Sequence, residues 1–339
     1  MKKIKICFLD FWNGFDYKIM NFYNALLERY EVFVCNNQED ADYIFFSCFG
    51  NEHWHVAPNK IKIFVTAENV CPDFNNCDYA IGFEWLYFGD RYLRLSNAYS
   101  ATKYKEVFDE VRKKHEESLS ELKKDSFCSF VVSNGNAEGL REQLFKKLSE
   151  YKKVNSGGRY LNNVGGPVDN KLAFEKKHKF SICCENSSHS GYTTEKIFQA
   201  FAAHLIPIYW GDPDVCKVIN PKSFINVADF SSLEEVVEKV RQIDNDEDLY
   251  KGMISEPVLL NPTRDDYNSQ LQLLKEFMWH IFDQHLSEAY RYNRHVTHFY
   301  HPFKISKLLK TPLYLLLAKD FIIRLKVKVN KLRKFKSYN

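Results

Sequence analysis

Glu195-Lys196, Arg141 and Glu68 are the charged residues of this chain whose types and positions could do chemistry. Glu195 and Lys196 open a segment, Glu195–His204, in which Ile197, Phe198, Phe201 and Ala202 recur at helical spacing. A lysine in the first helical turn opposes the helix dipole and is unfavourable there unless an anion meets it. A phosphate fits, because the polar loop before the helix also offers free backbone N–H groups. Glu195 suits a second kind of group: a carboxylate accepts hydrogen bonds from sugar hydroxyls, while the ammonium neutralises a diphosphate. A nucleotide-sugar carries both. The competing reading of the same pair is an ordinary Glu-Lys couple on a solvated helix face. Arg141 raises the same question in the first turn of a helix expected over Glu138–Tyr151, and its alternative is a surface arginine. Glu68 stands in Thr66-Ala67-Glu68-Asn69, straight after the apolar run Ile61–Val65. At the carboxyl end of a strand a carboxylate points into the cleft where an open α/β sheet binds ligands; otherwise it caps a local turn N–H.

The elements that must position these groups follow from the flanking pattern. Phe180–Cys184 and Leu205–Trp210 are apolar runs on either side of the polar loop Glu185–Thr194 and the helix, the second closed by Gly211 and Pro213. Strand, loop, helix, strand makes two parallel strands with a crossover helix, and sets the helix N-terminus beside the strands' carboxyl ends. No GxGxxG and no Walker lysine motif precedes the helix, which argues against an ordinary dinucleotide or ATPase site. Asp212-Pro213-Asp214 has the DxD form used by metal-dependent sugar transferases, but its place in a turn after a strand favours a helix-capping role. His53-Trp54-His55 has no convincing third ligand nearby in sequence. No obligatory protein-bound metal is expected; stimulation by a divalent ion stays open.

Earlier in the chain, strands are expected at Ile4–Phe11, Tyr30–Cys35, Tyr43–Cys48, Ile61–Thr66 and Tyr79–Gly82, with a helix at Asp16–Tyr30. Their alternation predicts an α/β unit. Trp12, Trp54, Trp85 and Tyr87 fall at its strand ends and loops, where an aromatic face either stacks on a sugar or packs the rim. Ser100–Lys124 is charged, with Tyr104, Val107, Phe108 and Val111 at helical intervals, and reads as a surface helix leading to a linker near Lys123–Ser126. A second α/β unit then begins with strand Phe127–Val132, the turn Asn134-Gly135-Asn136 and the helix bearing Arg141. Val154–Val168, rich in Gly and Asn, is a loop over a ligand or a flexible connector. Ser231–Val240, Asp246–Met253 and Asp265–Ser287 read as helices. The expected division is 1–124, 125–290 and 291–339.

At 339 residues and 45% hydrophobic content, the chain is long enough for two domains. Nine cysteines without a CxxC, with Cys183 and Cys184 adjacent, argue for reduced thiols in a cytoplasmic protein. MKKIKICFLDFW lacks a long apolar region and a small-residue cleavage site, and reads as a first strand. No run reaches the ~20 apolar residues of a membrane-spanning helix. Lys304–Asn339 differs from everything before it. Eleven Lys or Arg against the single acid Asp320 give it +10, so the rest carries −7 of the chain's +3. With Leu308–Leu317 and Phe321–Val329 supplying apolar residues, it reads as a basic amphipathic tail for an anionic membrane face, each near-surface cation contributing about 1 kcal/mol. That places the protein peripherally on the inner face of the cytoplasmic membrane. Nucleic acid and plain solvent are the other partners such a tail allows.

ENSSHSGYTTEKIFQAFAAHLIPIYWGDPDV resembles the donor-site signature of the α1,3/4-fucosyltransferase family, a pattern of the type F-E-N-S…D/G-Y-x-T-E-K…P-I/V-x-x-G, and is most similar to its bacterial branch. VTAENVCPDFNNCDYAIGFE (65–84), DRYLRL (90–95) and FVVSNGNAEGLREQLFKKL (130–148) extend the resemblance over most of Ile61–Phe230. Cys184 stands where the family usually has Phe, and keeps the position apolar. The resemblance implies a GT-B-like α/β fold, with two Rossmann-like domains facing a cleft, and an inverting transfer of fucose from GDP-fucose without a required cofactor. It implies Glu68 as the catalytic base on the acceptor side. It implies that Arg141, Glu195 and Lys196 bind the donor, with Arg141 and Lys196 neutralising the departing GDP, and that Asn186 and Tyr192 contact the donor too. The implied acceptor is an oligosaccharide or glycolipid, the GlcNAc of an N-acetyllactosamine unit on a lipopolysaccharide-like glycan, giving a Lewis-type α1,3 product; nucleic acid is not an expected partner. Similar bacterial members carry heptad repeats before a basic tail, and none is found in this sequence. Two other classes stay open: a transferase of the same architecture with another donor or acceptor, and a non-catalytic membrane- or nucleic-acid-binding protein motivated by the tail alone.

Overall fold

A computed structural model of the chain describes residues 1–113, 124–133, 135 and 139–292. Two parallel sheets organise it. The first is built from β1 (Lys2–Leu9), α1 (Asn21–Leu27), β2 (Tyr30–Val34), β3 (Tyr43–Phe46), β4 (Ile61–Val65), β5 (Tyr79–Gly82) and β6 (Tyr92–Arg94), in the strand order β2-β1-β3-β4-β5-β6. Every residue of β3, β4 and β5 is buried, as expected for parallel strands covered on both faces, and this is why they read as unbroken apolar runs. Lys62 is tolerated inside β4 because its backbone N–H donates to Asp78 Oδ2 at 2.9 Å and its ammonium lies 4.9 Å from the centre of the Tyr292 ring.

The chain continues through α2 (Lys105–Lys113), β7 (Ser126–Phe130), α3 (Leu140–Tyr151), β8 (Val154–Ser156), α4 (Lys171–Glu175), β9 (His178–Cys184), α5 (Glu195–Ala202), β10 (Ile206–Trp210) and β11 (Ile225–Asn226). The second sheet has the order β11-β10-β9-β7-β8. β9 and β10 pair in parallel from Phe180–Ile206 to Cys184–Trp210, with α5 as their crossover, so the strand–loop–helix–strand pattern is realised. Two such sheets in one chain are the GT-B-like α/β class that the sequence predicted. Among the described residues four helices follow: α6 (Leu233–Asn245), α7 (Glu247–Ser255), α8 (Pro262–Asp265) and α9 (Tyr267–Asp283).

Several expected boundaries move for identifiable reasons. The helix expected at Asp16–Tyr30 starts only at Asn21, because Met20 is extended and bridges to Ala101. The Asp265–Ser287 helix is broken at Asp266, whose backbone is extended and whose carboxylate caps the N–H of Asn268 at 2.8 Å. Val154–Val168 is pinned rather than a flexible connector. The Asn163 side chain accepts from Ser156 N–H at 2.7 Å and donates to Val154 O at 2.8 Å. The helix expected over Ser100–Lys124 begins at Lys105 and is not confined to the surface. Phe108 and Val111 are buried, and the Phe108 ring sits 4.8 Å from Phe198 of α5. Residues 114–123, Asn134, 136–138 and the basic tail Lys304–Asn339 lie outside the described residues.

The expected division at 125–290 counts α9 with the second sheet, yet α9 returns to the first. Trp279 Nε1 donates to Ala25 O at 3.0 Å, Tyr30 OH donates to Asp283 Oδ1 at 2.7 Å, and Phe282 stacks on Tyr43 with ring centres 4.1 Å apart. Beyond it, Tyr290–Tyr292 strap the amino-terminal edge of the same sheet: Tyr290 OH donates to Asn59 O, and the Arg291 and Tyr292 N–H groups donate to Asp78 Oδ1. One continuous core therefore joins Phe45, Ile63, Tyr99 and Phe108 to Phe198, Phe201, Tyr209 and Tyr267. A second core lies under the other face of the second sheet. Successive strand residues point to opposite faces, so Cys183 belongs to the first core and Cys184 to the second. All nine cysteines are free thiols. Among the described residues no helix is long and apolar enough to cross a membrane.

The seating of α9 is open to test. Phe282→Ala should destabilise the protein by about 3–5 kcal/mol in urea unfolding, because it empties a fully buried site. Leu273→Ala, on the exposed face of the same helix, should stay within about 0.5 kcal/mol. Equal effects would contradict this packing.

Candidate active site

The loops at the carboxyl edges of the two sheets meet. Asn69, in the loop after β4, donates through Nδ2 to Ser187 Oγ at 2.7 Å, in the loop after β9. Ser96, after β6, donates to the Thr193 carbonyl. Gly191 has φ +85°, and a Cβ there would collide with the Phe83 carbonyl oxygen just beyond β5. Only glycine allows that approach.

Asp212 braces the same loop. Its carboxylate is buried and accepts from the N–H groups of Gly191 and Asp214, both at 2.8 Å, and from Thr193 Oγ1 at 2.7 Å. Asp214 accepts from Ser190 and pairs with Lys217. The helix-capping role expected for Asp212-Pro213-Asp214 is not the one adopted: Asp214 makes no side-chain cap to the short 3₁₀ turn after it. Both carboxylates are committed to the loop instead.

Lys196 meets its anion inside the protein. Its ammonium lies 2.6 Å from Glu185 Oε2 and 3.0 Å from Thr194 Oγ1. Glu185, the first residue after β9, is 0% exposed. It also accepts from the backbone N–H of Thr194 at 2.8 Å and from its hydroxyl. Burial pulls the Lys196 ammonium down, but Glu185 and Glu195 outweigh it and hold it above its ordinary value. An ammonium has three donors. Two are used, and the side chain is 24% exposed, so one N–H is left for a ligand oxygen. The sequence did not single out Glu185. Its signal was its place, an acid directly at the carboxyl end of a buried strand.

The other candidates gather around this pair. Arg141, in the first turn of α3, is 2% exposed, and its Nη1 donates to Asn186 Oδ1 at 3.4 Å. Burial lowers its pKa, without removing the charge of a guanidinium. Tyr192 is buried against Phe83, with ring centres 4.9 Å apart. Burial pushes its phenol up, and Glu185, Glu68 and Glu195 push it further, so three carboxylates act on one hydroxyl. Glu195, at the first position of α5, is half-buried, and its carboxylate has no hydrogen-bond partner among the described residues. The same holds for the exposed carboxylate of Glu68, whose own N–H donates to Thr66 Oγ1 at 3.1 Å. Glu68 adjoins Asn69, the residue bonded across to Ser187. All six candidates thus lie in loops or helix starts: Lys196 is close enough to feel Glu195 and Arg141, and Tyr192 to feel Glu68 and Glu195.

The remaining candidates divide. Trp12 packs on Phe11 and Phe15. Trp85 is 38% exposed, with the Arg94 guanidinium 3.6 Å from its ring centre and Lys217 at 5.0 Å, while Tyr87 is 91% exposed. His53 Nδ1 pairs with Asp10 Oδ2 at 2.6 Å, and its ring stacks on Phe46. A surface groove of about 640 Å³ between α2, α4 and α5 contains none of the six site candidates.

Lys196→Met should cost about 3–5 kcal/mol of stability, because it strands the buried Glu185 charge. Adding Glu185→Gln should return part of that loss. Urea unfolding of the two single variants and the double variant measures the coupling, and strictly additive losses would mean that the two side chains do not act as a pair.

Residues 6–100 match the family described as alpha-(1,3)-fucosyltransferase FucT N-terminal domain, and residues 121–255 match glycosyltransferase family 10 (fucosyltransferase) C-term. The alpha-(1,3)-fucosyltransferase FucT of Helicobacter pylori is 35% identical over 288 residues, which are 75% of this chain and 60% of that protein. The chain therefore spans less than two thirds of that relative's length. A crystal structure of an alpha1,3-fucosyltransferase superposes with a TM-score of 0.72 at 31% identity, covering 84% of this chain and 91% of the other. A structure of an alpha1,3-fucosyltransferase with GDP-fucose gives 0.66 at 29% identity, covering 82% and 91%. With both halves matched and a solved structure covered almost end to end, the chain belongs to glycosyltransferase family 10, the fucosyltransferases.

Proposed function

We propose that the protein transfers fucose from GDP-fucose to a sugar hydroxyl with inversion at the anomeric carbon. The acceptor hydroxyl attacks that carbon, its proton passes to the Glu68 carboxylate, and the bond to the diphosphate oxygen breaks with the electron pair left on GDP. Arg141 and the remaining N–H of Lys196 stabilise the charge that grows there. Glu195 accepts from a fucose hydroxyl, and Asn186 and Tyr192 line the donor pocket. In this division the 1–124 segment holds the acceptor and the base, and the following unit holds the donor. The reading rests above all on one observation: an exposed carboxylate at Glu68, without a hydrogen-bond partner among the described residues, adjoins Asn69, which is bonded to the loop that leads into the helix start bearing Lys196. A solved relative holding GDP-fucose supports the donor.

The acceptor follows the resemblance: the GlcNAc of an N-acetyllactosamine unit in a lipopolysaccharide-like glycan, giving a Lewis-type α1,3 product. Trp85 and Tyr87, exposed beside the junction, suit the apolar face of such a sugar. No resident metal is needed, because the cations come from side chains.

Glu68→Gln should keep GDP-fucose affinity and lower kcat by about 10²–10⁴-fold with N-acetyllactosamine as acceptor. Turnover near that of the parent would remove Glu68 as the base, and linkage analysis of the product reads the regiochemistry in the same assay. The basic segment Lys304–Asn339, we further propose, holds the enzyme peripherally on the inner face of the cytoplasmic membrane. Sedimentation with anionic vesicles should then be lost without residues 304–339 and weakened by salt, while turnover of a soluble acceptor persists. Equal sedimentation with zwitterionic vesicles would contradict it.

A further inference from the structure

Cys71, Glu84 and His189 bring a thiol, a carboxylate and an imidazole together beside the donor loop, with roles that the transfer reaction does not use. Their three donor atoms all lie within 4.8 Å of one another, and Cys71 Sγ is 3.7 Å from His189 Nε2. The residues come from three separate loops: Cys71 follows β4, Glu84 follows β5, and His189 follows β9. Zn–S and Zn–N bonds of ~2.3 and ~2.0 Å at a tetrahedral angle give a ligand–ligand edge of about 3.6 Å. The sulfur–nitrogen pair already has that spacing, and the carboxylate needs to close by at most about 1.5 Å.

The surroundings favour a cation. Tyr92 OH donates to Glu84 Oε2 at 2.9 Å and fixes that carboxylate, while the buried Glu84 Oε1 has no hydrogen-bond partner of ordinary length among the described residues and the Cys71 thiol faces the same carboxylate. A held carboxylate with one unsatisfied buried oxygen is a ligand whose second shell is in place. The His189 ring stands edge-on to Phe83 at 5.7 Å, which limits its rotation. Cys71 is exposed and leaves an entry path. Sulfur, imidazole and carboxylate together select a borderline-soft ion over Mg²⁺ or Ca²⁺.

We propose that Cys71, Glu84 and His189 form a site for a thiophilic divalent cation, with Zn²⁺ the best chemical match. Binding displaces the Cys71 thiol proton to solvent and ties the Glu68 loop to the donor loop. With those loops fixed at one separation, Zn²⁺ slows turnover; that consequence rests on the proposed transfer reaction, whereas the binding does not.

Cobalt reports the site directly. The metal-stripped full chain should bind one equivalent of Co²⁺ with tetrahedral visible bands and a thiolate-to-cobalt charge-transfer band, both displaced by Zn²⁺. Cys71→Ser should abolish the charge-transfer band, His189→Gln should weaken Co²⁺ binding by at least about tenfold, and Cys216→Ser should change neither. Matched thermal midpoints in the absence of metal exclude unfolding as the cause. The sulfur band also separates this site from His295, His298 and His301, which carry no thiolate. Absence of the band in the parent, or its survival in Cys71→Ser, overturns the proposal. In turnover, Zn²⁺ should inhibit the parent and spare Cys71→Ser. If no fucosyl transfer is found at all, the cobalt spectrum still decides the site.

Discussion

Glu185 has no exposed surface and carries the loop on which the site is built. One carboxylate group takes the Thr194 N–H, which the helix start would otherwise leave unpaired, the Thr194 hydroxyl and the Lys196 ammonium. Its own N–H continues the sheet by donating to Trp210 O at 2.8 Å. Gly211 is required opposite it, because a Cβ there would collide with the Glu185 side chain. The loop is thereby closed onto its own strand, and the lysine is held in one orientation before any ligand arrives. That matters chemically, since a long cationic side chain fixed in advance loses less entropy on meeting an anion. It also concentrates risk: the desolvation of the pair is offset only while both partners are present.

The second constraint is the shared core. α5 carries Glu195 and Lys196 at its start, and its apolar face, Phe198 and Phe201, packs into the core that runs under the first sheet. Phe108 of α2 and Tyr267 of α9 close that core from two sides. α5 is thus seated in the half that carries Glu68 as well as in its own. The close-packed side chains beneath the site resist displacement of one half against the other, so relative movement is confined to the loops above that core.

The sequence made the skeleton legible because buried parallel strands write continuous apolar runs, as in Ile61–Val65 and Phe180–Cys184. β6 and β8, with three residues each, are too short to leave any period. The break at Asp266 was hidden because a capping aspartate between two helical patterns resembles one longer helix. The return of α9 to the first sheet is a tertiary choice; its apolar face fits either half, and only the Phe282–Tyr43 and Tyr30–Asp283 contacts decide it. In the site, the lysine at the helix start does meet an anion, but that anion belongs to the chain itself. The nearest anion was Glu185, eleven residues back and invisible as a partner until the loop is folded. The Asp212 carboxylate illustrates the same blindness: the DxD spacing suggests ligands or caps, whereas backbone N–H groups of a folded-back loop take it up.

Tyr290–Tyr292 give the molecule a polarity. They are bound to Asn59 and Asp78, just ahead of β4 and β5, whereas Glu68 lies just past the far end of β4. The five residues of β4 separate those two poles by about 17 Å. The last described residue of the chain, Tyr292, therefore sits at the pole opposite the Glu68 loop.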